Sequence, residues 1–302
     1  MTMIISPLFI SEEIFEVITL TSKISIHSVF NNSFNFKLGK AIVNVSHNKN
    51  ILPPYGIVLD NRDFEILKKQ INSESLQFNV SDKSIIVNHI ELLFGNETKK
   101  YDSTMRKAKN KIYSSKIRKL TQKVLGYGKQ NGFSIENDIM FDIIQNIDNN
   151  SYNYLYDKNA SEFFLKLELL ANFILYGENQ ETLEYFLGRG MGLTPSGDDF
   201  LVGILSVFSS YGVFQQSIWE IRDLILKNKG IYTNDISEQF LILSTEGKFS
   251  MSVISLLNTL SDEEFDDEIV DNVLNYGQSS GVDIILGIVF AYKVMNGRNQ
   301  YE

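Results

Sequence analysis

The chain has 302 residues, a formal net charge of −9 at neutral pH and no cysteine. This length allows a large buried core and favours two domains over one. The lack of cysteine excludes disulfide bonds, thiolate catalysis and cysteine metal sites, and it is typical of a cytoplasmic protein. We expect no signal peptide, because no basic segment precedes an apolar stretch at the N-terminus. The apolar run at 200–214 is short and interrupted, which favours a buried helix over a membrane span.

The first third of the chain alternates apolar and polar residues with a period of two, which predicts β strands. Residues Ser81, Asp82 and Lys83 are expected to form a hairpin turn. Short, closely spaced antiparallel strands predict an antiparallel β barrel or sandwich over residues 1–98. The alternating segments are 24–29, 34–38, 41–45, 76–80 and 85–92.

A basic helical linker is predicted over 99–134. Residues 99–129 contain eleven Lys or Arg and a single acid, Asp102, while the rest of the chain is strongly acidic. The segment is interpreted either as a solvated helical face or as a surface that steers anionic substrates or binds an acidic partner. Nucleic acid is a poor partner, since the isoelectric point of the chain is near 5 and the segment 99–129 has only three tyrosines for stacking.

Residues 135–302 alternate apolar helical segments with polar turns and predict a mostly α-helical domain, so the fold class is α+β. An acidic stretch with seven carboxylates, 262–271, precedes the last helix. Helices are predicted at 163–176, 198–210, 217–227, 236–244 and 251–260, and again after the second of two related motifs.

Two glycine-rich motifs in this domain repeat one pattern. Five residues of the first motif recur 84 positions later, and each motif leads into a helix through the sequence Ser-Gly-x-Asp. The glycine four positions after each aspartate is expected to allow two helices to pack closely. The matched pairs are Ser196 and Ser280, Gly197 and Gly281, Asp199 and Asp283, Gly203 and Gly287, and Ile204 and Ile288.

The Ser-x-x-Asp spacing in each motif is that of a capping box, in which the serine hydroxyl and the carboxylate satisfy free amides of the first helical turn. The glycine after each serine would leave the remaining amides open, and these predict an anion site at the positive end of the helix. Two well-capped helices without any ligand would give the same pattern. A nucleotide-binding P-loop is disfavoured, because Asp198 stands where that motif requires lysine.

The adjacent aspartates, Asp198 and Asp199, are the candidate catalytic residues. Neighbouring helical positions diverge by about 100°, so if Asp199 caps the helix, Asp198 is free to face a ligand or Mg²⁺. Two structural acids are the alternative, and therefore we assign no metal ligand and no cofactor. The candidate substrate-binding residues are Gly190, Gly192, Thr194, Ser196, Gly197, Ser280, Gly281 and Asp283.

These motifs resemble those of a bacterial family formerly of unknown function. The resemblance rests on the run from Gly188 to Gly203, which contains Gly-Leu-Thr-Pro-Ser-Gly-Asp-Asp, and on the run from Gly277 to Gly287. One branch of the family is the small subunit of the oxamate carbamoyltransferase of allantoin degradation, a part of purine catabolism. The resemblance implies transfer between carbamoyl phosphate and oxamate, giving oxalurate and phosphate, in a complex with larger partner subunits.

The alternatives are a non-catalytic small-molecule-binding or assembly subunit and a stand-alone enzyme acting on another carboxylate or phosphorylated metabolite. In each case the expected ligand is carbamoyl phosphate or another small anion, without nucleic acid or membrane. The serine-threonine-arginine phosphate motif of ordinary carbamoyltransferases is missing from the motifs. The chain is therefore expected to supply only part of a shared site.

Overall fold

The computed structural model describes residues 2–20, 23–71, 76–81, 83–147, 158–190 and 192–298. The chain forms two compact units, of which the first comprises Met1–Thr104 with Phe249–Met251 and the second comprises Met105–Lys248 with Ser252–Glu302. Strands dominate the first unit and helices dominate the second, so the α+β fold class is confirmed.

The first unit contains two sheets. A four-stranded sheet has the order β1-β9-β8-β7, and a six-stranded sheet has the order β10-β2-β6-β5-β4-β3. The elements are β1 Met3–Ile5, β2 Phe9–Ser11, α1 Glu13–Leu20, β3 Ile24–Val29, β4 Ser33–Leu38, β5 Ala41–Ser46, β6 Gly56–Val58, α2 Asn61–Ile71, β7 Phe78–Ser81, β8 Ser84–Val87, β9 Ile90–Leu93 and β10 Lys99–Tyr101.

Within the described residues, the predicted antiparallel barrel or sandwich is present as two open, mixed sheets and not as a closed barrel. Strands β3, β4 and β5 pair in antiparallel fashion as expected, but β1 pairs with β9, β2 with β10 and β5 with β6 in parallel. Parallel neighbours need long connections. Here β1 and β2 join strands formed some 90 residues later in the chain, a pairing that local alternation does not reveal.

A turn divides the segment 85–92, which alternation predicts as one strand. Strand β8 ends at Val87, and Val87 pairs directly with Ile90 of β9. Asn88 between them has a φ of 56°, a left-handed conformation that asparagine tolerates better than most residues. The other predicted hairpin, β7–β8, is present with Ser81 opposite Ser84, while Asp82 lies outside the described residues.

Both sheets contribute to one hydrophobic core in this unit. Phe34 and Phe36 of β4 are fully buried, as is Ile85 of β8. Phe64 of α2 stacks on Phe34 with ring centroids 5.6 Å apart. Burial of each such side chain stabilises the fold by about 1.5–3 kcal/mol. Helix α2 therefore belongs to the core of a segment whose sequence predicts strands alone.

Ten helices are described in the second unit. All of the predicted helices are present, within about three residues of the expected bounds except where α5 begins earlier. A 3-10 turn at Gln180–Thr182 precedes α6. The helices are α3 Ser114–Tyr127, α4 Asn137–Gln145, α5 Lys158–Tyr176, α6 Leu183–Phe186, α7 Ser196–Tyr211, α8 Gln215–Lys227, α9 Asp235–Thr245, α10 Met251–Ser261, α11 Asp267–Leu274 and α12 Ser280–Arg298.

Helices α7 and α12 form the centre of this unit. Phe200 of α7 stacks on Phe186 of α6 at 5.5 Å and lies 5.5 Å from Phe290 of α12, and all three rings are fully buried. Residues Ser280–Gly297 of α12 are long and apolar enough to cross a membrane, but 72% of this window is buried within the protein. The central helix of a folded helical domain has the same property.

Part of the basic segment is bound by the acidic stretch and the residues just before it. The Lys116 ammonium is buried and donates to the carbonyl oxygens of Thr259, at 3.0 Å, and Glu264, at 2.9 Å. Lys119 and Lys123 bind the Asp267 carboxylate at 3.0 and 3.1 Å. The cations that remain exposed on the extended approach to α3 are Arg106, Lys107, Lys109 and Lys111.

Candidate functional site

The two repeated motifs meet where α7 and α12 begin. Helix α7 starts at Ser196 and α12 starts at Ser280. The hydroxyls of Thr194 and Ser280 share a hydrogen bond of 3.0 Å. The predicted approach of the two motifs is therefore confirmed.

A glycine contact holds the two helices together just below their starts. A Cβ atom on Gly203 would lie 2.1 Å from the Ile284 carbonyl oxygen, and one on Gly287 would lie 2.0 Å from the Phe200 carbonyl oxygen. Both distances are far below contact, so any side chain would force the helices apart. This contact confirms the role predicted for the matched glycines and fixes the distance between the two helix starts.

The predicted capping box of α7 is not formed. The N-cap position belongs to Pro195, whose carbonyl accepts from the amides of Asp198 and Asp199 at 3.0 and 3.1 Å, and no side chain caps this end. At α12 the Ser279 carbonyl accepts from the amides of Val282 and Asp283 at 2.8 and 3.0 Å. Each motif serine is thus the first helical residue, so its hydroxyl does not face the amides of the first turn.

The glycine after each serine packs against another helix end and does not open a surface to a ligand. A Cβ atom on Gly197 would lie 1.8 Å from the Phe186 carbonyl oxygen, and its amide donates to the Arg189 carbonyl at 2.9 Å. A Cβ atom on Gly281 would lie 2.0 Å from the Val273 carbonyl oxygen. The bare-amide interpretation of these glycines is replaced by one of close packing, because their predicted open faces are filled by backbone.

The glycines of the first loop allow its tight path to the helix. Gly190 has a φ of 103° and Gly192 a φ of 119°, conformations that residues with a side chain rarely adopt. A Cβ atom on Gly190 would also lie 2.9 Å from both the amide nitrogen and the hydroxyl of Ser196. Residue 191 lies outside the described residues.

Asp198 is occupied by structural hydrogen bonds. Its Oδ1 accepts from the Gly188 amide at 2.8 Å, and its Oδ2 accepts from the hydroxyls of Thr233 and Ser237, the latter at 2.7 Å. Burial raises the pKa of Asp198, and these three donors oppose the increase. Asp198 therefore joins the glycine loop to the start of α9, which replaces the prediction of a free carboxylate.

Asp199 and Asp283 cross between the two helices. Asp199 of α7 lies beside the hydroxyls of Thr194 and Ser280, while Asp283 of α12 lies beside that of Ser196. Each aspartate thus faces the first residue of the opposite helix. Asp283 Oδ1 also accepts from the Gly132 amide at 3.0 Å.

Three polar atoms at this crossing are left without hydrogen bonds. Among the residues described, Asp199 Oδ2, Asp283 Oδ2 and Ser196 Oγ are buried and have no partner of normal hydrogen-bond geometry. Only 5% of Asp199, 1% of Ser196 and none of Asp283 is exposed. Buried polar atoms are usually paired, and unpaired ones cost about 1–3 kcal/mol each. Because three such atoms lie in one place, this crossing is the candidate functional site.

Burial raises the pKa of both crossing aspartates. The pKa of Asp283 is raised to about 7 by burial, against the opposing effect of the Gly132 amide and the Ser279 and Ser196 hydroxyls. The pKa of Asp199 is raised well above its usual value, first by burial, with the negative charge of Asp283 adding to the increase. Because each charge disfavours the other, the environment opposes ionisation of both carboxyls at once.

Several residues at the site were not predicted from the sequence. Gly132 is preceded only by a turn asparagine, and a backbone donor leaves no motif. Ser279 is adjacent to a matched serine, so its position could have been noticed. Tyr276 lies near Asp199, and burial together with the Asp199 charge raises its pKa above the usual value. Gly132 comes from a distant part of the chain, and spacing within the motifs cannot reveal such a contact.

Two cations lie at the edges of the site. Lys129 donates to the carbonyls of Leu274 and Gly277 at 2.8 and 2.9 Å, and burial lowers its pKa. Arg189 is partly buried, and its guanidinium lies 4.0 Å from the centre of the Tyr185 ring. Within the described ranges no group of three or more His, Cys, Asp or Glu residues is arranged to hold a metal ion.

Comparison with known proteins gives one match to a family. Residues 186–292 match the family model described as oxamate carbamoyltransferase subunit AllH. No solved structure matches the chain. The matched segment runs from the end of α6 into α12 and includes both motifs with the crossing aspartates. Over this segment the chain resembles the oxamate carbamoyltransferase subunit AllH.

Proposed function

We propose that the chain is a subunit of an oxamate carbamoyltransferase-like complex and binds a small anionic substrate between the starts of α7 and α12. The observation that carries this proposal is the family match, since residues 186–292 include both motifs. The substrates are carbamoyl phosphate and oxamate in one direction and oxalurate and phosphate in the other, which is the direction of allantoin degradation.

The reaction makes clear demands on a site. The amide nitrogen of oxamate bonds to the carbamoyl carbon, the bond from that carbon to the phosphate oxygen breaks, and the amide proton must be accepted. Stabilisation of the departing phosphate requires hydrogen-bond donors fixed in advance. A general base works best with a pKa near the working pH.

The crossing point of α7 and α12 fits these demands in part. The hydroxyls of Thr194, Ser196 and Ser280 are the donors, and two helix N-termini favour negative charge there. Asp283, with a pKa of about 7, suits proton transfer at neutral pH, and Asp199 shares this role. Asp198 instead holds the loop.

The glycines of the motifs support this site by shape. Gly190 and Gly192 set the path of the loop, while Gly197 and Gly281 seat the helix starts against neighbouring carbonyls. The phosphate motif of ordinary carbamoyltransferases is missing, so larger partner subunits complete the site. A cytoplasmic location, without membrane or nucleic-acid partners, stays a prediction from composition.

Reconstitution tests this function. The purified chain is assayed alone, with its partner subunits, and in a mixture from which it is omitted, following phosphate release from carbamoyl phosphate and oxamate. We expect turnover only in the full mixture. Turnover by the chain alone would favour a stand-alone enzyme, and a mixture that works equally well without the chain would contradict a catalytic role.

A non-catalytic assembly subunit is the second candidate. The exposed cations at Arg106, Lys107, Lys109 and Lys111 favour it, because a positive patch on an acidic protein attracts an acidic partner. Under this alternative the complex needs the chain for its assembly, whereas Asp199→Asn and Asp283→Asn leave turnover unchanged.

A further inference from the structure

The crossing of α7 and α12 brings two buried carboxyls together without joining them. Asp199 Oδ2 and Asp283 Oδ2 have no hydrogen-bond partner among the residues described, so they are not bonded to one another. A carboxyl dyad that simply shared a proton would show one direct contact. Each carboxyl therefore keeps one buried oxygen with unused hydrogen-bonding capacity where the two helices cross.

The surroundings of the two carboxyls disfavour a cation as the bridging group. The groups that face Asp283 are hydrogen-bond donors, namely the Gly132 amide and the hydroxyls of Ser196 and Ser279. Both carboxyls lie in the first turn of a helix, where the helix dipole is positive. Such an environment opposes a metal ion and favours a neutral or anionic group that needs both donors and acceptors.

A pair of carboxyls with one proton offers one donor and one acceptor. The protonated member donates through its O–H, and the ionised member accepts. A primary carboxamide has the complementary set, because its carbonyl accepts and its NH₂ group donates. The Ser196 hydroxyl, which lies beside Asp283 without a hydrogen bond of normal geometry, provides a third polar atom at the same place.

We propose that Asp199 and Asp283, sharing one proton, bind the carboxamide group of a small ligand, with its NH₂ on the ionised carboxyl and its carbonyl on the protonated one. This inference rests on the proposed function and deepens it, since oxamate and carbamoyl phosphate both carry an H₂N–C=O group. The ligand reaches the carboxyls from the side of Thr194, which is partly exposed.

The proton makes binding depend on pH in a defined way. When both carboxyls are ionised, the donor to the ligand carbonyl is lost, and when both are protonated, the acceptor for the NH₂ group is lost. The other titratable groups facing the pair are Asp198, whose charge acts on Asp199, and Tyr276, which is itself affected by the Asp199 charge. Affinity for a carboxamide is therefore highest at intermediate pH and falls on both sides.

Calorimetric titration of the full chain with oxamate and with oxalate tests this. Oxalate has the same skeleton but lacks the NH₂ group. We expect oxamate to bind at least tenfold more tightly than oxalate at the optimum pH. The variants Asp199→Asn and Asp283→Asn should each lose at least tenfold in oxamate affinity. Their remaining affinity should no longer fall above and below an optimum pH. If oxamate binds only with the partner subunits present, inhibition of the reconstituted complex gives the same comparison.

Controls separate this role from a structural one. Asp267→Asn, on the exposed surface of α11, should leave oxamate binding unchanged, and unfolding curves show whether each variant is folded. Ser196→Ala removes an unpartnered hydroxyl and should weaken oxamate binding without loss of stability. This variant keeps the test valid even if an aspartate variant does not fold.

The outcomes distinguish this inference from the proposed function. Equal affinity for oxamate and oxalate, unchanged binding in both asparagine variants, or binding of Mg²⁺ alone at the pair would overturn the carboxamide site. If the complex still transfers carbamoyl groups in those cases, the proposed function stands without the inference. If oxamate is selected as expected but the complete complex shows no turnover, the site stands and the proposed function fails.

Discussion

Replacement of Asp283 by asparagine should remove a large pH dependence from the stability of the protein. The folded protein holds the Asp283 proton with a pKa of about 7, whereas the unfolded chain releases it near 3.8. Because the folded state binds the proton more tightly, the stability from this group is complete below pH 3.8 and is lost as pH rises towards 7. Asparagine has a similar shape and does not ionise, so the Asp283→Asn protein should not lose stability in this way as the pH rises.

The magnitude follows from the difference between the two pKa values. Each pH unit of difference corresponds to about 1.4 kcal/mol, so the full change is about 4 kcal/mol. Between pH 5 and pH 7 the free energy of unfolding of the wild-type protein should fall by about 2 kcal/mol relative to Asp283→Asn. The side-chain carbonyl oxygen of this variant would still be able to accept from the Gly132 amide, so that contact with the native loop is retained.

Urea unfolding at half-unit steps from pH 5 to pH 8 measures this difference. The two proteins are compared at each pH, so that groups titrating equally in both cancel. Asp267→Asn is the matched control, because Lys119 and Lys123 lower the pKa of Asp267 below 3.8 and its difference from wild type should therefore stay flat from pH 5 to pH 8. A flat difference between wild type and Asp283→Asn over this range would refute the assignment of a buried, proton-holding carboxyl.

Three further predictions concern packing, capping and association. Gly203→Ala should destabilise the protein by about 1–3 kcal/mol or more in urea unfolding, because its Cβ would meet a backbone carbonyl. The control is Gly126→Ala in α3, where a Cβ atom would meet open space, and this variant should be neutral or slightly stabilising. Asn234→Ala should cost about 0.5–2 kcal/mol, since the Asn234 side chain caps α9, and Ser196→Ala should be nearly neutral in the same assay. Charge reversal of the exposed lysines should slow association with an acidic partner subunit in stopped-flow mixing, and the effect should vanish as salt shortens the Debye length to about 3 Å at 1 M; salt-independent association would leave the segment as a solvated face. These lysines are Lys107, Lys109 and Lys111.

Local patterns are sufficient to predict most of the helical unit. Helices such as α5 and α7 carry long apolar runs, and Gly177 and Gly212 end them in the left-handed conformation that the sequence suggests. The sheet unit is less predictable, because its parallel pairs join strands that are distant in sequence. Helix α2 escapes prediction although Phe64, Leu67 and Ile71 have helical spacing, since short strands surround it on both sides.

The site shows the same division between local and long-range information. The shared spacing of the two motifs is enough to predict that α7 and α12 pack through Gly203 and Gly287. It cannot reveal that each serine is the first helical residue and not the cap, because a shift of one position changes the direction of its hydroxyl. Nor can it reveal that each aspartate faces the opposite helix, which depends on the packing of the two helices.

Small sequence differences between the two motifs place Asp199 and Asp283 in different surroundings. At the position equivalent to Asp198 the second motif has Val282, so only the first motif is tied to the start of α9. Asp283 accepts from the Gly132 amide, whereas Asp199 is close to two negative charges, those of Asp198 and Asp283. Two equivalent carboxyls would have no preferred location for one shared proton. Unequal surroundings give the two carboxyls different affinities for the proton, and a fixed donor beside a fixed acceptor is what recognition of an asymmetric carboxamide requires.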